Sequence, residues 1–234
     1  MARRGRRAPK RLRLTLAASQ DLDALVGRIR ACRICVERPF GAPLPHEPRP
    51  VLQISASARL LVAGQAPGTR VHATGAPFND PSGDRLRGWI GLSREQFYDP
   101  TRVAVVAMGF CYPGRDAKGA DLPPRRECRA SWHDELFRLA PQIETIFAVG
   151  RAAQDYHSAR LGRPLPVGAS LEKVIRICAA QIHLRPHLLA LPHPSWRNNA
   201  WLQRRPWFER EIAPLARELA AEAITGCRAL KREV

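Results

Sequence analysis

Four short apolar runs punctuate the chain: Arg59 to Ala63, Val103 to Met108, Ile143 to Val149 and Leu188 to Leu191. Each is rich in Val, Ile, Leu and Ala and shorter than an ordinary helix, so each reads as a strand buried on both faces. Between them apolar positions return every three or four residues, which predicts helices over roughly 83–91, 125–139, 151–161 and 169–180. The same spacing precedes the first strand, in Leu22, Leu25, Val26 and Ile29, with Ser19 or Asp21 as the cap of a helix over 21–31. A last helix starts near Pro206, tolerated in a first turn, and runs to about Ala223. A proline-rich connector, Pro39 to Pro50, separates the first helix from the first strand. Strands alternating with helices predict an α/β fold, a three-layer α/β/α arrangement around a central, mostly parallel four-stranded sheet.

In such sheets ligands bind beyond the carboxyl ends of the strands. The first strand ends in Gly64-Gln65-Ala66-Pro67-Gly68, and the fourth in Pro192-His193-Pro194-Ser195-Trp196-Arg197-Asn198. Both turns are therefore expected on one edge, facing one crevice. Glycines let the first approach a ligand closely, and prolines stiffen the second around an imidazole. The first turn matches neither a phosphate-binding P-loop nor a dinucleotide fingerprint. Trp196 and Arg197 are suited to stacking on bases and gripping phosphates. Phe78, in the turn-rich stretch from Gly75 to Gly83, is either a core residue or the floor of a pocket for a flat ligand.

Charge narrows the partners. Across 234 residues, 38 Lys and Arg oppose 21 Asp and Glu, a net charge of +17 that favours polyanions, nucleic acid first. Seven cations (Arg3, Arg4, Arg6, Arg7, Lys10, Arg11 and Arg13) fall in the first thirteen residues, and the rest of the chain is basic as well. We expect a disordered basic arm over 1–17 and a single domain over 18–234. No apolar stretch reaches the length of a membrane span, and Leu12 to Leu16 is too short and too charged for a signal sequence. The expected setting is cytoplasmic, with no membrane partner.

The chain has six cysteines. Cys32 and Cys35 form a C-x-x-C pair, while Cys111 and Cys128 are separated by sixteen residues. Four thiolates could bind zinc or an iron–sulfur cluster, although the spacing lacks the two tight pairs usual in zinc ribbons, with a redox C-x-x-C as a third option. Cys178 and Cys227 read as ordinary helix thiols.

Taken in order, these segments resemble the uracil-DNA glycosylase superfamily, and most of all its iron–sulfur branch, family 4. That branch has an early C-x-x-C and a strand ending in Gly-Glu-x-Pro-Gly. A Gly-x-Pro-Phe loop follows, then two cysteines about fifteen residues apart, a His-Pro-Ser-Pro-x-Asn turn and a Pro-Trp-Phe helix start. The counterparts here are Cys32, Cys35, Gly64 to Gly68, Gly75 to Phe78, Cys111, Cys128, His193 to Asn198, and Pro206-Trp207-Phe208. The resemblance covers roughly residues 25–215.

It implies a monomeric DNA glycosylase of base excision repair, acting on single- or double-stranded DNA. Cys32, Cys35, Cys111 and Cys128 would hold a 4Fe-4S cluster, with zinc as the alternative. His193 would donate to the departing base, the backbone amides of Gln65 and Ala66 would hold the base or position water, and Phe78 would stack on the flipped ring. Ser195, Trp196, Arg197 and Asn198 would engage the strand. Gln65 and Asp80 are the candidates for water activation.

Two departures qualify this. Gln65 replaces the branch's Glu, and Ala66 stands where family 1 has a water-activating Asp. The Asn that reads uracil's edge is also missing, because Val105-Val106-Ala107-Met108-Gly109-Phe110 offers no side-chain amide. The competing readings are therefore a glycosylase for a non-uracil lesion and a non-catalytic iron–sulfur DNA-binding protein on the same scaffold. A basic RNA-associated zinc protein is the third, and it leaves the two strand-end turns unexplained.

Overall fold

The computed structural model describes residues 10–226, with side chains from Ser19 onward. Cys227 and residues 1–9 of the expected arm lie outside the described residues. Among these, four strands form one sheet: β1 (Leu60–Ala63), β2 (Val103–Val105), β3 (Thr145–Val149) and β4 (His187–Leu191). All neighbours are parallel, in the order β2-β1-β3-β4, with Leu61 opposite Ala104 and Ile146, and Ile146 opposite Leu188. Every strand residue is buried, as the unbroken apolar runs require. The outer side of β2 is covered by Gln53, which bridges Val105 and donates its side-chain amide to the carbonyls of Val103 (2.7 Å) and Phe97 (3.0 Å). That occupies part of an otherwise open sheet edge.

From β1 the chain steps outward to β2, then returns past β1 to β3 and on to β4. Right-handed crossovers therefore send the β1–β2 connection over one face and the later connections over the other. The Ala213–Thr225 helix lies against β1 and β3 and packs on Pro81–Ile90, while Arg151–Arg160 and Leu171–Ala180 cover β3 and β4. Ala213, Ala216, Leu219, Ala220 and Ala223 form the buried stripe of the last helix. The result is the three-layer α/β/α architecture. No described helix is long and apolar enough to cross a membrane.

The boundaries differ from expectation in four places. The first helix spans Lys10–Arg30, so its backbone runs through the stretch expected as an arm. Residues 10–18 are mostly Lys, Arg, Leu and Ala, among the best helix formers, and propensity extends the helix past the amphipathic window. β2 stops at Val105, although Val106 and Met108 still donate to Val62 and Gly64 of the β1 segment. The helix over 126–138 is interrupted by a π-type turn, Arg129–His133. At the C-terminal end a second one, Phe208–Ile212, precedes Ala213–Thr225, where Pro214 has no N–H to donate back to the preceding turn. The short helices Ile34–Glu37, Thr69–Thr74, Arg94–Tyr98 and Asn199–Gln203 were not anticipated.

Candidate active site at the carboxyl edge of the sheet

Because the order in which strands are added to the sheet reverses between β1 and β3, the crevice beyond their carboxyl ends is the site such a sheet favours for a ligand. Gln65, just after β1, lies over Gly150, just after β3. A Cβ at Gly150 would sit 2.9 Å from Gln65 Cδ, and its φ is +86°. Glycine there leaves room for the Gln65 side chain and permits the left-handed backbone. The Gln65 carbonyl accepts from the Gly109 amide at 2.8 Å, fixing the turn to the segment after β2.

A cleft of about 410 Å³ opens at this edge, lined by Gln65, Ala66, Phe78, Asp80, His193 and Arg197 among others. The two strand-end turns and the Phe78 loop do converge. A second chamber of about 720 Å³ adjoins it, between the 113–124 segment and the start of the Arg151–Arg160 helix.

Phe78 forms one wall. Its ring lies against Gly64, whose added Cβ would be 3.1 Å from Phe78 Cζ, and meets Phe97 edge-on at 6.2 Å between centroids. Its φ of +52° is unusual for a bulky residue and needs support from its surroundings. That support is local: a Cβ at Gly83 would fall 1.7 Å from the Phe78 carbonyl oxygen, and Arg87 donates to the same oxygen at 3.4 Å. Asp80 caps the Pro81–Ile90 helix that carries Gly83, its Oδ1 accepting from the Gly83 amide at 2.9 Å. The carboxylate singled out for water activation is thus engaged at a helix end, although it still lines the cleft.

His193 stands at the end of β4. The Ser195 amide donates to its Nδ1 at 3.3 Å. An amide can only donate, so Nδ1 is the acceptor and the proton of the neutral ring sits on Nε2. Burial pushes the imidazole below its ordinary range; the Asp80 carboxylate opposes this, Arg197 adds to it, and Asp121 opposes it. At neutral pH the cleft therefore holds a neutral imidazole with an N–H to give. Asn198, expected on the DNA, spends its side-chain amide on the His193 carbonyl at 2.7 Å and so holds the turn. Trp196 is 72% exposed, with the Arg197 guanidinium 5.4 Å from its ring centroid. At the place of the missing Asn, Val105 and Ala107 line the cleft.

Sequence reasoning missed Arg85, which donates to Asn199 Oδ1 at 2.7 Å and to the Ser195 carbonyl at 3.4 Å, tying the His193 turn to the Pro81–Ile90 helix. It also missed Arg115 and Asp121, brought to the cleft by a loop that carries no periodicity. Only the turn residues around them could have signalled that loop.

The cysteines gather elsewhere. Cys32 follows the first helix, Cys35 lies in Ile34–Glu37, Cys111 follows β2, and Cys128 ends Arg126–Cys128. The Cys128 thiol donates to Cys35, lowering the Cys35 pKa and raising that of Cys128, and Phe110 N–H donates to Cys128 Sγ at 3.3 Å. Burial pushes the Cys111 thiol up to about 12, with the charges of Cys35 and Cys32 adding to it. Arg125 stands beside Cys35. The four thiols are neighbours, yet among the described residues no group of three or more His, Cys, Asp or Glu side chains is arranged to hold a metal ion. Cys178 is buried in the Leu171–Ala180 helix, as expected of a core thiol.

A family model for the uracil DNA glycosylase superfamily matches residues 52–217. The match takes in the whole sheet, both strand-end turns, the Phe78 loop, Cys111 and Cys128, and leaves out Cys32 and Cys35. Proteins of this superfamily act on DNA and generally hydrolyse N-glycosidic bonds, which associates the chain with base excision repair. With most of its length matched, the chain belongs to the uracil DNA glycosylase superfamily.

Proposed function

We propose that this chain is a DNA glycosylase that draws a damaged base out of a strand into the cleft and cuts its N-glycosidic bond with water. The observation that carries the reading is the neutral His193, whose Nδ1 accepts from Ser195 and whose Nε2–H has no partner among the described residues. As the bond breaks, negative charge builds on the base. A donor already aimed at that charge lowers the barrier without reorganising. Phe78 supplies a stacking face for the extruded ring, offsetting an unstacking cost of a few kcal/mol. The backbone amides of Gln65 and Ala66 hold the base or the water. Trp196 and Arg197 fill the gap in the strand and engage its backbone, which their exposure permits.

The base is a deaminated one, uracil or a relative. The apolar Val105 and Ala107 on the cleft wall favour a second reading, a lesion other than uracil, because no side-chain amide there can pair with uracil's edge. Incubating the protein with single-lesion oligonucleotides carrying uracil, hypoxanthine, xanthine or an oxidised pyrimidine tests both readings. Alkali-labile abasic sites from uracil support the first, and sites from another lesion alone support the second. No abasic site from any of them removes the glycosylase reading.

Cys32, Cys35, Cys111 and Cys128 suit a 4Fe-4S cluster of the family 4 type. The Cys35–Cys128 contact, a backbone N–H on the Cys128 sulfur and a guanidinium beside Cys35 support thiolate ligation. When bound, such a cluster would supply a cross-link between the first helix, the segment after β2 and the 126–138 helix. Anaerobically purified protein is then brown, with iron and sulfide in stoichiometric amounts. Colourless protein carrying zinc would favour the alternative metal.

A further inference from the structure

We infer that Asp121 is a catalytic residue of this site, the carboxylate that takes the proton from the attacking water. The inference rests on the glycosylase reading above and supplies the base that the first turn lacks. Neither Gln65 nor Ala66 carries a carboxylate. Two acidic side chains, Asp80 and Asp121, line the same cleft as His193.

Their commitments differ. Asp80 Oδ1 is held by the Gly83 amide at 2.9 Å, and losing that bond would uncap the helix that supports Phe78. Asp121 has one ion-pair partner among the described residues, Arg115 Nε at 3.5 Å, with both side chains about half exposed. Exposed pairs at that separation hold weakly, so the carboxylate is available to a water. Asp121 also lines the second chamber, as do Gln65, Ala66 and His193, and so stands where the two spaces meet.

The loop that presents it is braced. Arg115 and Asp121 form an antiparallel bridge, and the Leu122 amide donates to the Gly114 carbonyl at 3.0 Å. At the tip, Asp116 Oδ1 accepts from the amides of Lys118 and Ala120, each at 2.9 Å. Pro123 and Pro124 follow directly and stiffen the exit. A carboxylate on so short and cross-tied a loop keeps a defined position over the cleft. It is also near enough to bias His193 electrostatically.

The step then balances with the residues present. The water oxygen bonds to the sugar C1′ while one of its protons passes to Asp121. The C1′–N bond breaks with its electron pair going to the base, which His193 Nε2–H stabilises. The proton on Asp121 is then delivered through solvent to the base anion, leaving a free base and an abasic sugar. A positioned base of this kind contributes about a hundredfold or more.

The test uses full-length protein and the single-lesion oligonucleotide that the wild type converts fastest. Asp121→Asn and Asp121→Ala should each lower the single-turnover rate about 100-fold, with affinity for an abasic-site oligonucleotide within threefold of wild type. Formate added to Asp121→Ala should recover part of the rate, since a small carboxylate can occupy the space left. A rate within threefold of wild type in Asp121→Asn overturns the assignment and leaves the glycosylase reading intact. A loss of affinity as large as the loss of rate also overturns it, making Asp121 a strand contact. Wild-type protein that yields no abasic site from any lesion overturns the glycosylase reading itself, and the role of Asp121 with it.

Discussion

The cleft and the cysteine pocket are assembled alike, each from a few residues carried by segments far apart in sequence, yet they are held in different ways. In the cleft the positioning is complete without a ligand. Backbone amides fix Gln65 and His193, Gly83 and Arg87 hold the strained Phe78, and Arg85 ties down the His193 turn. In the cysteine pocket the thiols lean on one another: the Cys128 S–H keeps its proton and donates a hydrogen bond to Cys35, while Cys111 is kept protonated by burial. The first arrangement suits a guest that comes and goes. The second is the one that the cluster proposed above would complete.

Removing a cysteine should have the largest effect, because it breaks the pocket and leaves the cleft's own tethers in place. Cys128→Ser should bleach the protein and lower its thermal midpoint by roughly 10 °C, the scale of several kcal/mol in a chain of this size. A colourless variant with unchanged midpoint would show that the thiols carry no structural ligand. Gly83→Ala attacks the cleft instead. Its Cβ has no room beside the Phe78 carbonyl, so we expect a loss of about 3 kcal/mol in urea unfolding together with reduced cleavage.

Acid should act on the packing behind the cysteine pocket. Behind the cysteine pocket Phe110 meets His133, and His157 lies across Phe137 from it; burial holds His133 down at about 4 and His157 well below its ordinary value. Both folded-state values lie under the unfolded one, so the unfolded chain takes up protons first as pH falls. Stability is then complete above about pH 6.5 and declines toward pH 4, by about 1.4 kcal/mol per pH unit for each histidine. Urea titrations between pH 7 and 4.5 should show this slope, and His133→Leu should reduce it. The smallest effect belongs to the exposed rim. Trp196→Ala should weaken strand binding about tenfold by anisotropy and leave the thermal midpoint unchanged.

Much of this was legible in the chain. The four strands followed from unbroken apolar runs, because a parallel sheet buries both faces. That His193, Gln65 and Phe78 line one cleft followed from strand ends and turn residues, which mark sheet edges. What sequence did not carry was the third dimension of the loops. Asp121 sits between a glycine-marked turn and two prolines, with nothing local to say which chamber it faces. Arg85 looks like any cation on an amphipathic helix until the turn it grips is in place. Phe78 could not be known to have a positive φ, since the cause lies five residues on, in Gly83. The first helix began earlier than its apolar stripe because Leu, Ala, Lys and Arg extend a helix without any need for burial.

The central claim is that His193 serves the chemistry and not the grip on DNA. It is tested by measuring single-turnover abasic-site formation and strand affinity side by side for wild type and His193→Ala, on the lesion the wild type cleaves fastest. The rate should fall by about tenfold to a thousandfold, with affinity within threefold of wild type. An unchanged rate, or a loss of affinity that matches the loss of rate, would contradict it.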